Sequence, residues 1–147
     1  MPSKPPFYKQ ETRYSCAVAC LRMVLSQHGL ELPEAELRDL CDCTPAFGTD
    51  AWLLVEAARQ LGFPLTTKHN LQFPELVEFL SNDYFPIVFV NLGPLDGVDE
   101  QHALVVVAAN EAVVLVYDPF YGERKLPNEA FRASWGAQRN LTILVAR

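Results

Sequence analysis

The stretch QETRYSCAVACLRMVL, Gln10 to Leu25, is where reading this chain begins. Ser15 stands just before a run of helix-forming apolar residues, and Gly29 is placed to end that run in a left-handed conformation. A helix from about Cys16 to His28, with Ser15 as its cap, is therefore predicted. Cys16 falls in the first turn, where unpaired backbone N–H groups and the positive end of the helix dipole favour a thiolate over a thiol. Cys20 lies one turn further on, with Met23 and Val24 a turn beyond it, and reads as core. Taken alone, Cys16 admits the same reading, because free cysteine is among the most buried residue types. The difference lies in what the rest of the chain brings to it.

Outward from this helix, LPEAELRDLC carries proline and acids at its start, and TDAWLLVEAARQLG opens on Thr49 and Asp50 and closes on Gly62, so two further helices follow. PELVEFLSND is a shorter one after the candidate strand PLTTKH. From Phe85 the pattern changes to β-branched and aromatic runs: PIVFVNL, HALVVVAA, AVVLVY, RKLP and LTILVA. NEAFRASWG between the last two reads as one more short helix with Asn128 as its cap. Helices first and an antiparallel sheet afterwards is an α+β order. With 147 residues, half of them hydrophobic, a single domain over residues 1–147 is expected.

A net charge of −6 without a Lys/Arg cluster offers no footprint for nucleic acid or an anionic membrane. The longest apolar run, ALVVVAA, is too short to span a bilayer, and MPSKPPFYKQ lacks the apolar core of a secretory signal. A soluble, cytoplasmic protein is expected, with its four cysteines as thiols. Cys41 and Cys43 are too tightly spaced for a zinc pair and have no second pair, so no metal is expected.

A thiolate nucleophile needs a histidine to protonate the leaving group and a third group to orient it. Of the three histidines, His28 lies at the far end of the helix that begins at Cys16, and His69 lies in a polar connection. His102 opens the strand HALVVVAA, after which AVVLVY returns to Asp118. If Ala108 pairs with Ala112 across a three-residue turn, His102 stands directly opposite Asp118, with Cβ atoms ~4.5–5.5 Å apart. A two-residue turn instead puts the two side chains on opposite faces. The former is preferred because it brings two useful side chains together. Gln10, six residues before Cys16, is near enough in sequence to lend its amide nitrogen, beside the Cys16 N–H, to an oxyanion hole. The stretch LGPLDGVDEQ before His102 reads as a solvated loop bordering the site. Trp52, Trp135, Phe120 and Tyr121 are candidates for core or groove alike.

Gln10, Cys16, His102 and Asp118, within Q-x5-C-x3-C-L-x-M, the histidine-led strand, YDPFYG and SWG, resemble the papain-like cysteine peptidases of family C39, the leader-peptide peptidases of bacteriocin exporters. The resemblance implies a papain-like fold with Cys16 as nucleophile, His102 as general acid/base, Asp118 as orienting residue and Gln10 as oxyanion donor. Where the family commonly has Asp-Cys-Gly, this chain has Ser15-Cys16-Ala17. The resemblance also implies a peptide or protein substrate, a leader peptide among the candidates. In a second departure from the family no membrane or ATPase segment is read in the chain, so a free-standing domain is expected, with its transporter partner unknown. The chemistry requires no metal or organic cofactor. Two alternatives stay open: an amidase acting on a small amide, and a non-cleaving peptide-binding module of the same fold.

Overall fold

A computed structural model of the chain describes residues 4–147. Three helices lead, α1 (Cys16–Gln27), α2 (Glu34–Leu40) and α3 (Ala51–Gln60), followed by β1 (Thr67–Asn70) and α4 (Phe73–Ser81). Then come β2 (Ile87–Asn91), α5 (Gly93–Asp96), β3 (Gln101–Ala109), β4 (Val113–Asp118), β5 (Gly122–Pro127), α6 (Asn128–Gly136) and β6 (Leu141–Leu144). The six strands form one antiparallel sheet in the order β1-β6-β2-β3-β4-β5.

The α+β order read from the sequence holds. The near-continuous apolar run of β3 follows from burial on both faces. Ala103, Val105 and Val107 face a core built with Val18, Leu21 and Leu25 of α1 and Leu54 and Val55 of α3. Leu104 and Val106 face a second core with Leu76 of α4 and with Phe131 and Trp135 of α6. α1 thus lies along one face of β3, with Cys16 at its N-terminal end.

Two predicted caps differ from the structure. Asn128 is the first residue of α6 rather than its cap, and its side chain donates instead to the Asn110 carbonyl, tying the helix start to the β3–β4 turn. Ser15 occupies the cap position of α1 without capping it. The segment expected as a solvated loop contains α5, stopped by Gly97 at φ 74°.

The predicted register of the β3–β4 hairpin is also corrected. Asn110 closes a tight turn, its side-chain oxygen accepting from the N–H groups of Ala112 and Val113 at 2.8 and 2.9 Å. Ala109 therefore pairs with Val114 and Ala108 with Leu115, so Ala108 does not pair with Ala112. Between Val106 and Ala108 the register slips by one, and from there Val106 pairs with Val116 and Val105 with Tyr117. Val107 is the extra residue of a β-bulge. Continued outward, this register sets Asp118 opposite Leu104, one same-face position from His102. Without the bulge, Asp118 would stand opposite Val105 and point through the other side of the sheet.

Candidate active site

His102 and Asp118 meet, as diagonal rather than direct neighbours. His102 Nε2 lies 2.8 Å from Asp118 Oδ1, with the imidazole nearly buried and the carboxylate fully so. The same oxygen accepts the N–H groups of Phe120, at 2.9 Å, and Tyr121, at 3.4 Å, as the chain turns after Pro119. With Nε2 committed to the aspartate, Nδ1 is the ring nitrogen left for a thiol. Burial opposes charge on the His102 ring, but hydrogen bonding to Asp118 and to Cys16, reinforced by their charges, outweighs it and raises the pKa to about 9. Burial likewise opposes ionisation of Asp118, yet its hydrogen bond to His102, the ring's charge, the Phe120 N–H and Arg124 leave its pKa below the ordinary value. The two side chains hold each other as an ion pair.

Cys16 is half-buried at the first turn of α1 and lines a cavity of ≈ 320 Å³ together with His102, Phe89 and the Pro45–Thr49 segment. A second cavity of ≈ 260 Å³ contains His102, Gln10, Leu92, Phe120 and Tyr121. His102, Arg13 and Glu100 border both, so the two hollows meet at the imidazole. Gln10 is held to the Asp118 turn by its backbone N–H, which donates to the Pro119 carbonyl at 2.8 Å. Its side-chain nitrogen donates to the Thr12 carbonyl at 2.8 Å, while Oε1 is buried without a partner among the described residues. One N–H of that amide is therefore occupied, and the other is not engaged by a described residue.

Cys20 is fully buried, and burial foremost pushes its thiol pKa well up, so it behaves as core. Cys41 and Cys43 are free thiols, and among the described residues no group of three or more metal-ligating side chains converges. Trp135 is buried in the second core, and of the aromatic candidates Phe120 and Tyr121 border the site. Asp96, read as part of a solvated loop, is instead paired with Arg124.

Glu34 and Arg124 went unnoticed in the sequence. The Glu34 side chain, 1 % exposed, accepts from the Glu11 N–H at 3.0 Å and from Ser15 Oγ at 3.2 Å, and pairs with Arg38 at 2.5 Å. This carboxylate takes the Ser15 hydroxyl away from the helix cap and pins the loop running from Gln10 to Cys16. The i, i+4 spacing of Glu34 and Arg38 on α2 was visible, but it reads as an ordinary surface pair. Arg124 reaches the second oxygen of Asp118 from β5. Its signal, a basic residue two positions beyond the one opposite Asp118, depends on a β4–β5 register that the sequence does not specify.

The peptidase C39 family model matches residues 4–147. The chain belongs to the peptidase C39 family. It is accordingly a hydrolase of the cysteine-peptidase class, as its sequence resemblance implied. Among solved structures, it is similar to the peptidase domain of Streptococcus ComA, a bifunctional ABC transporter of a quorum-sensing pathway, at 27 % identity and TM-score 0.80 over 99 % of this chain and 100 % of that one. A double-glycine-motif protease from an AMS/PCAT transporter, crystallised with its leader peptide, gives 21 % identity and TM-score 0.80, covering 99 % of this chain and 94 % of that one. A C39-like peptidase from Bacillus anthracis gives 16 % identity and TM-score 0.83 over 97 % and 94 % of the two chains. No curated protein sequence matches. Among the described residues no helix is long and apolar enough to cross a membrane.

Proposed function

We propose that this C39 peptidase cleaves a peptide bond with Cys16 as nucleophile, His102 as general acid and base, Asp118 as the group that orients the imidazole, and Gln10 as an oxyanion donor. The observation that carries the reading is the buried His102–Asp118 pair beside the first turn of a helix that begins with Cys16. The Cys16 sulfur, as thiolate, attacks the carbonyl carbon. The negative charge that develops on the carbonyl oxygen is met by the Cys16 N–H and by the Gln10 amide. Imidazolium His102 then donates its Nδ1 proton to the leaving amine, and a water deprotonated by the same nitrogen releases the acyl group from sulfur. The substrate is a peptide or protein. A leader peptide is the first candidate, since one of the similar proteases was crystallised with one.

The test is hydrolysis of a peptide panel that includes sequences with a Gly-Gly pair, followed by mass spectrometry, in the unaltered protein and in Cys16→Ala. Cys16→Ala should be folded and inactive. A folded Cys16→Ala protein that still cleaves would remove the nucleophile from this reading, and small amides cut in preference to every peptide would move the activity to an amidase.

A further inference from the structure

The carboxylate of Asp118 has two oxygens in very different company. Oδ1 serves His102 and the turn amides, whereas Oδ2 has one partner among the described residues, Arg124 Nη1 at 3.0 Å. Asp118 is fully buried, so Oδ2 has no water to fall back on. Arg124 gets there by register. Asp118 pairs with Gly122 across β4–β5, and Arg124 lies two residues further on the same face. The other side of its guanidinium forks onto Asp96, with Nη2 to Oδ1 at 2.7 Å and Nη1 to Oδ2 at 3.2 Å. Asp96 ends α5, and the chain then runs through Gly97 directly into the strand that opens with Gln101 and His102. Arg124 lines neither cavity at the site.

We infer that Arg124 is a positioning residue of this site: one guanidinium grips the free oxygen of Asp118 and the turn leading into His102, and so fixes both members of the pair against each other. Asp118 and His102 come from different strands, and their contact across a diagonal depends on both ends being held. A single planar fork holds both at once, which a lysine cannot reproduce. The groups facing His102 are Cys16 from α1, Asp118 from β4, Arg13 from the loop before α1 and Glu100 from the turn before β3, with Arg124 acting from β5 through Asp118.

The inference rests on His102 and Asp118 being the working pair, and the experiment separates the two questions. In Arg124→Met, Asp118 and the turn into His102 lose their shared anchor, the carboxylate no longer holds its hydrogen bond to the ring, and the ring pKa of His102, read by NMR titration, should fall from about 9. Simple removal of a nearby cation would raise that pKa. A ring pKa that rises or stays put therefore overturns the inference. On a cleaved peptide, kcat should drop by up to about 10² with KM unchanged, as expected of misplacement without loss of substrate contact. Arg124→Lys keeps a cation near one anchor but not the fork, so it should restore only part of the ring pKa and little of kcat, and a lysine variant indistinguishable from the unaltered protein would overturn the inference. Asp96→Asn is the milder variant should Arg124→Met not fold. It leaves the Arg124–Asp118 contact in place, lowers kcat less, and should be non-additive with Arg124→Lys. Additive effects would show that Arg124 does not couple the two anchors. The NMR titration needs no substrate, so a chain that cleaves nothing fails the peptidase reading without deciding this one.

Discussion

Removing the Glu34 carboxylate should loosen the segment that carries both Gln10 and Cys16. Glu34 accepts two hydrogen bonds from that segment, from the Glu11 N–H and Ser15 Oγ, and pairs with Arg38 on its own helix. A hydrogen bond to a charged group contributes ~1.5–3 kcal/mol, and breaking a fully buried ion pair by truncating one partner costs ~3–5 kcal/mol. Arg38 does not reach that limit, since its side chain is 22 % exposed and the Glu11 carboxylate stands 3.8 Å away to take up part of its charge. Glu34→Ala should therefore lose about 2–3 kcal/mol, dominated by the stranded Glu11 amide, since Ser15 Oγ can still donate to the Thr12 carbonyl at 3.3 Å. Glu34→Gln keeps an oxygen for those two donors and removes the charge, so about 1 kcal/mol is expected. Urea denaturation with linear extrapolation measures both. Where both variants are fully folded, Glu34→Ala should still alkylate and hydrolyse more slowly than Glu34→Gln, because the loop into Cys16 has lost its anchor. A loss below about 1 kcal/mol for Glu34→Ala, or equal loss in the two variants, would refute this account of the loop.

Gly48 and the pH response provide further checks. Gly48 adopts φ +63°, and a Cβ there would come within 3.1 Å of the Tyr14 carbonyl oxygen, two residues before Cys16. Gly48→Ala should cost about 1–2 kcal/mol from backbone conformation alone and lower turnover beyond what the folded fraction explains, which activity per folded molecule would reveal. Folding raises the His102 pKa from 6.5 to about 9, so the stability this group supplies is complete below about pH 6.5 and is lost as pH rises through about 9. Asp118 has the opposite sign, because its depressed pKa supplies stability above the ordinary carboxyl value that disappears as pH falls through the folded value. Thermal denaturation from pH 6 to 10 should therefore show a steeper decline in the unaltered protein than in His102→Asn, where the buried Cys20 and Cys41 thiols still lower stability at the alkaline end, and parallel curves would contradict the ion pair.

Much of the fold was legible because its signals are local. The apolar run after Ser15, the acids opening α2, and the Asp50 side chain that caps α3 by accepting the Trp52 N–H at 2.8 Å depend on a few consecutive residues. The β3 run was legible as a strand buried on both faces for the same reason. The Ser15 cap is not formed because its hydroxyl is drawn instead to the Thr12 carbonyl and to Glu34, the latter 19 residues away. The hairpin register was misread because the Asn110 side chain tightens the turn and a bulge at Val107 then corrects the offset, and an apolar stretch such as LVVV carries no mark of which valine will be left unpaired. Gln10, Cys16, His102 and Asp118 can be put forward as candidates from chemistry alone, whereas the contacts of Arg124 with Asp118 and Asp96 depend on which strands are neighbours.

The bulge at Val107 also makes the hairpin an odd-and-even counter. The tight turn at Asn110 supplies an odd offset, and one surplus residue in β3 returns it to an even one before the strands reach His102 and Asp118. A single residue inserted or deleted in this hairpin would send Asp118 to the wrong side of the sheet, while two changes that cancel would leave the pair in register. Length changes in the paired strands between Val106 and Val116 are thus tolerable only where they cancel, a rule that reaches the His102–Asp118 contact from a turn at the far end of the strands.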